Sequence, residues 1–132
     1  MKDKYYYPAI LHQEDQGYSV WVPDLEGCIS QGESITDTIE NISEAVGLFL
    51  EYLTDEGKAI PEPTNPENIP LDKNCFISII EFDWLKYQKK HCSKAVKKTL
   101  TIPSYLNDIA EKQHINFSSV LREALETKLN LN

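Results

Sequence analysis

Carboxylates crowd the first half of the chain, among them Asp24, Glu26, Glu33, Asp37 and Glu40, and such groups hold metal ions or move protons. A nuclease of the two-metal kind needs several of them converging on ions about 4 Å apart. Asp24 and Glu26 flank Leu25 in a loop, and the spacing secures no third carboxylate beside them. The nuclease reading would require RNA cleavage dependent on Mg²⁺ or Mn²⁺. Cys28 with His12 has the residue types of a thiol–imidazole pair, but no third orienting group or oxyanion site can be read around it. Cys28, Cys75 and Cys92 lie far apart without a CxxC pair, and His12, His91 and His114 are equally scattered. That pattern argues against a disulfide framework and against zinc. The sequence therefore predicts no enzyme, no metal and no cofactor.

Charge is more informative. Residues 1–84 hold 4 Lys and no Arg against 17 Asp or Glu, a net of −13, while residues 85–132 hold 8 Lys and 1 Arg against 4 acids, a net of +5. An acidic half repels nucleic acid and attracts a basic protein, whereas a basic tail neutralises phosphates. Within that tail, Val96 to Ile102 alternates, with Leu100 and Ile102 on one side and Lys97, Thr99 and Thr101 on the other. A strand with one apolar face is stabilised by pairing with its twin. A two-stranded antiparallel ribbon fits the major groove, so Lys97, Thr99 and Thr101 are candidates for contact with base edges or phosphates. Asn116 is a suitable N-cap for a helix with Ser119 at its third position, and free amides from Asn116 through Ser118 to Ser119 would face a phosphate.

The elements that must position these residues follow from periodicity. Tyr5 to His12 is rich in aromatic and branched residues and predicts a strand. Glu14-Asp15-Gln16-Gly17 predicts a turn, Tyr18 to Val22 a second strand stopped by Pro23, and Cys28 to Gln31 a third. Ser34 with Asp37 predicts a capped helix start. Ile35, Ile39, Ile42, Val46, Phe49, Leu50 and Leu53 then form one apolar stripe of about five turns, with Glu40, Glu44 and Glu51 opposite and Gly57 as the stop. The prolines between residues 58 and 74 predict a loop, and Asn74 to Phe82 a buried strand. Asp83 is placed to cap a short helix through Trp84 and Tyr87. In the tail, Pro103 opens a helix striped by Leu106, Ile109 and Ala110, His114 sits at the reversal, and Val120, Leu121, Ala124, Leu125 and Leu129 face one way on the last helix. Val96–Leu129 is below the roughly 40 residues that usually hold a core alone, so it must borrow core from a second copy.

Two stretches resemble known families. VKKTLTIPSYLNDIAEKQHINFSSVLREALETKL (residues 97–129 with the flanking valine) resembles a ribbon-helix-helix domain of the Arc/MetJ class. The Tyr-rich first strand, the PDLEGC loop from Pro23 to Cys28, Gly32 and the S-I-T-D helix opening resemble the HicB antitoxin N-terminal domain. The resemblance implies an α+β chain: a β-β-β-α-β partial RNase H-like, toxin-neutralising domain over residues 1–84, a basic linker or short helix over 85–95, and a dimerising ribbon-helix-helix module over 96–132. It implies inhibition of a HicA-type RNA-cleaving toxin and repression of the chain's own operon through operator DNA, with Lys97, Thr99 and Thr101 as the ribbon positions that read DNA. For the toxin, Asp24, Glu26, Glu40 and Glu44 are the candidate contacts, since a carboxylate-rich face can mimic phosphates. The alternative is a stand-alone repressor whose first domain senses a small ligand. No apolar run approaches the roughly 20 residues of a membrane span, and MKDKYYYPAI lacks the apolar stretch of a secretory signal, so a cytoplasmic protein is expected.

Overall fold

The computed structural model describes residues 3–131. The chain divides into two compact units, Met1–Lys94 and Ala95–Asn132.

In the first unit, β1 (Lys4–Gln13), β2 (Tyr18–Trp21), β3 (Ile29–Gly32) and β4 (Cys75–Asp83) form one antiparallel sheet in the order β3-β2-β1-β4. The β1–β2 turn is tight because Glu14 N–H donates to the Gly17 carbonyl at 3.0 Å and Gly17 takes φ +79°, a conformation glycine adopts without a Cβ penalty. Period-two alternation then separates the faces. Tyr5, Tyr7, Ala9 and Leu11 of β1 join Val20, Ile80 and Phe82 in the core, while Tyr6, Pro8, Ile10 and their register partners Glu81, Ile79 and Ile77 face the other way. Pro8 is tolerated in this central strand because pairing with β2 begins only at Ile10, leaving one side of β1 without a ladder there.

Helix α1 (Ile35–Asp55) covers the first face. Ser34 caps it, its hydroxyl accepting from the Asp37 amide at 3.1 Å. Ile42, Val46, Leu50 and Leu53 are buried, each contributing about 1.5–3 kcal/mol of hydrophobic stabilisation. Ile35, expected in the stripe, is instead 48% exposed, because the first residue of the helix lies beyond the sheet surface its later turns cover. Thr38 is fully buried in its place, its hydroxyl donating to the Ser34 carbonyl at 2.7 Å. After β4, Asp83 caps α2 (Trp84–His91) by accepting from the Lys86 amide. This basic helix packs back on α1, with the Tyr87 ring against Gly47.

The second unit contains α3 (Ser104–Lys112) and α4 (Phe117–Lys128), with His114 reversing the chain at φ +56°. Val96–Ile102, expected as a strand, is assigned to no strand in the single chain. A strand exists only through a ladder with a neighbour, and this chain supplies none.

Candidate partner-binding surfaces

The four carboxylates expected to meet a partner occupy two separate places. Asp24 is tied to the proline-rich loop: the Thr64 amide donates to Asp24 Oδ2 at 3.0 Å and the Thr64 hydroxyl to Oδ1 at 2.5 Å. It therefore works as an internal fastener, joined by the Tyr7 hydroxyl donating to the Pro61 carbonyl at 2.6 Å. Burial, with Tyr5, Asp24 and Glu62 nearby, pushes the Tyr7 phenol well above its ordinary value. Glu26, two residues along, is exposed.

Glu40 and Glu44 share a different setting, a hollow of about 530 Å³ between α1, β4 and α2, with Ser43, Glu81, Asp83 and Lys86 also on its walls. Glu44 is bound by Lys90 at 3.5 Å and by His91 at 3.1 Å. Glu51, two turns further along α1, accepts from the Tyr87 hydroxyl at 2.6 Å, and desolvation together with that carboxylate raises the Tyr87 phenol well above its ordinary range. The sequence placed Glu44 and Glu51 opposite the apolar stripe, with Glu44 as a candidate toxin contact, and predicted neither of these intrachain partners. The missed signal was Gly47 between them: a glycine in mid-helix marks a close approach, and here a Cβ would come within 2.5 Å of Tyr87 Cε2.

His12 and Cys28 do not meet as a pair. His12 Nδ1 lies 3.0 Å from Glu14 Oε1, and hydrogen bonds from Ser19 and His12 lower the Glu14 carboxyl. Cys28 is buried in the core, which pushes its thiol up to about 11. Among the described residues no three His, Cys, Asp or Glu side chains form a group that could hold a metal ion, and no helix is long and apolar enough to cross a membrane.

In the second unit, Lys97, Thr99 and Thr101 are exposed on the unpaired segment before α3. Asn116 caps α4, its Oδ1 accepting from the Ser119 amide at 3.1 Å. Of the amides expected to meet a phosphate, that of Ser119 is thus engaged internally, while Ser118 stays in the uncapped first turn, where an α-helix has no partner for its N–H. None of the described residues of this unit is buried. Leu100, Ile109, Phe117, Val120, Leu125 and Leu129 are each between 44% and 60% exposed.

A model of the HicB-like antitoxin of bacterial toxin–antitoxin systems matches residues 7–125. The chain belongs to this family. The antitoxin is similar to a solved chain of a toxin–antitoxin complex from Streptococcus pneumoniae, at 26% identity and a TM-score of 0.60, over 95% of this chain and 99% of that one. It is also similar to the antitoxin HicB of Burkholderia pseudomallei, at 25% identity and a TM-score of 0.55, over 91% and 95% of the two chains. An uncharacterized 14.9 kDa protein of Haemophilus phage HP1 is 27% identical over 103 residues, 76% of this antitoxin and 74% of that protein.

Proposed function

We propose that the first unit binds and inhibits a HicA-type RNA-cleaving toxin, and that the second unit pairs with a second copy to hold operator DNA and repress the operon. The observation that carries the second half is the state of the second unit. It has two helices, the second capped by Asn116, and a stripe of exposed leucines and isoleucines, but no buried residue among those described, so its apolar surface needs another chain. Pairing Val96–Ile102 with its twin would supply the missing ladder and turn Lys97, Thr99 and Thr101 to one face of a two-stranded ribbon. The first half is supported by the net −13 on residues 1–84 and by the toxin–antitoxin complex among similar structures. The β-β-β-α-β order of the first unit also suits a partial RNase H-like fold.

The test combines co-purification with operator binding. A small basic protein encoded beside this gene is expected to co-purify with the chain in stoichiometric amount. Thr99→Ala combined with Thr101→Ala is expected to weaken operator binding by about tenfold, two lost hydrogen bonds being worth about 1–3 kcal/mol together, and to leave toxin inhibition intact. Retention of full operator affinity would remove the ribbon reading. If no toxin co-purified, the first unit would be better described as a ligand-sensing domain of a repressor.

A further inference from the structure

We infer that the free edge of β4, centred on Ile79, is where an edge strand of the basic toxin adds to the antitoxin sheet. The inference rests on the toxin-binding reading and assigns it a place.

The two edges of the sheet are unequal. β3 has four residues, and the Gln31 carbonyl on it accepts from Asn41 Nδ2 of α1 at 2.8 Å. Short length and a side-chain cap are ways of blunting an edge against pairing. β4 has nine residues, CFISIIEFD, without proline, lysine or glycine, and pairs in register with β1 from Cys75 to Asp83. Among the described residues no strand lies on its other side. The Cys75 amide at its start donates to the Asp72 carbonyl at 3.2 Å; beyond it, a long apolar edge strand with no neighbouring strand is a template for one more strand.

The side chains beside that edge indicate what kind of strand fits. On the outward face Ile79 is 48% exposed and Tyr6, two strand positions away on β1, is 50% exposed. Glu81 follows Ile79 on the same face, its one ion pair among the described residues being with a distant Lys4 at 3.9 Å. On the helix-covered side lies the hollow containing Glu40, which is exposed and forms no ion pair among the described residues. An added strand alternates its side chains between these two faces. The complementary sequence therefore presents apolar residues to Ile79 and Lys or Arg to Glu81 and Glu40. A second copy of this unit is a poor occupant, because the net −9 of its residues 1–94 (8 Lys against 17 Asp or Glu) would oppose the approach. A cationic protein is drawn to the same field.

The experiment uses the full chain and the HicA-type toxin encoded beside its gene, with the toxin's active site inactivated. Amide hydrogen exchange across β4 is expected to slow when that toxin is added, with smaller changes on β3. Ile79→Lys places a cation on the outward face without touching the core, and is expected to weaken toxin binding by about 30-fold or more, as for a central interface residue. Ile79→Val is expected to bind within about threefold of the parent chain, because it keeps the apolar character of the edge. Circular dichroism identical to the parent would show that Ile79→Lys is folded. Undiminished binding by a folded Ile79→Lys, or protection on β3 and α1 in place of β4, would overturn the edge assignment while leaving the antitoxin reading intact. If Ile79→Lys instead reduced the size of the antitoxin assembly with toxin affinity unchanged, the edge would belong to a second copy and the inference would fail. A parent chain that bound no toxin at all would remove the underlying reading and this inference together.

Discussion

The first unit buries a core of fourteen clustered residues from β1, β2, β4, the loop between β2 and β3, and α1, whereas the second unit buries none of its described residues. Both are striped at helical or strand spacing, and each has a helix capped by a side chain, Ser34 for α1 and Asn116 for α4. The difference is who completes the stripe. In the first unit α1 and the sheet are contributed by one chain, so the apolar faces meet. In the second, two short helices and an unpaired segment present their apolar residues to solvent. Equal amphipathicity thus yields a self-contained core in one region and, in the other, an apolar surface that the single chain leaves uncovered.

That contrast can be broken by placing a charge in the unfinished half. Leu125→Asp, at an exposed apolar position on α4, is expected to raise the dissociation constant of the proposed dimer by about 100-fold or more, since a carboxylate would have to be buried unpaired at the contact. Sedimentation over a range of concentrations would show it, and an unchanged dimer would mean that α4 is not at the interface. The thermal transition of the first unit should stay in place, because its core lies within one chain.

Leu50→Ala acts on the other side of the comparison. Leu50 is fully buried under the sheet, and the change is expected to destabilise the first unit by about 2–5 kcal/mol through lost transfer energy and a cavity. Denaturant titration should show the transition of residues 1–94 shifting independently of protein concentration. A concentration-dependent shift would mean that a second copy helps complete the core of the first unit.

The smallest effect concerns pH. The Cys28 thiol is raised by burial from 9.0 to about 11, and the Tyr7 phenol is displaced upward as well. A group whose folded value is raised contributes stability below its unfolded value and loses it as pH climbs toward the folded one. Stability of the first unit should therefore be flat with respect to these groups below pH 9 and should decline between pH 9 and 11. Urea midpoints across that range check it, and Cys28→Ala should flatten the thiol's part of the slope. In the native protein at neutral pH, alkylation should modify exposed Cys92 long before Cys28.

Much of this fold was legible because its signals are local. Gly17 in its turn, Ser34, Asp83 and Asn116 as caps, and His114 in a left-handed turn each depend on a handful of adjacent residues. The antiparallel pairing of β1 with β2 follows from the same short range. The contacts that shape the candidate surfaces are of another kind. Asp24 meets Thr64 across 40 positions, Tyr87 meets Glu51 across 36 and Lys90 meets Glu44 across 46, and no periodicity encodes which polar residues will find each other at that distance. Glu44 looked like open surface for that reason. Val96–Ile102 failed differently: its alternation is plain, but pairing needs a neighbour that a single chain lacks.

The hydrogen bond from Asn41 to the Gln31 carbonyl has a consequence for assembly order. A sheet with two open edges has two growing ends, and head-to-tail addition at such ends propagates into filaments. Asn41 acts on β3 as a chain terminator does on a polymer, leaving one growing end. Addition at β4 would then be a single, finite event: one strand received per antitoxin chain, with the arithmetic of the complex set at one to one and no route to a fibre.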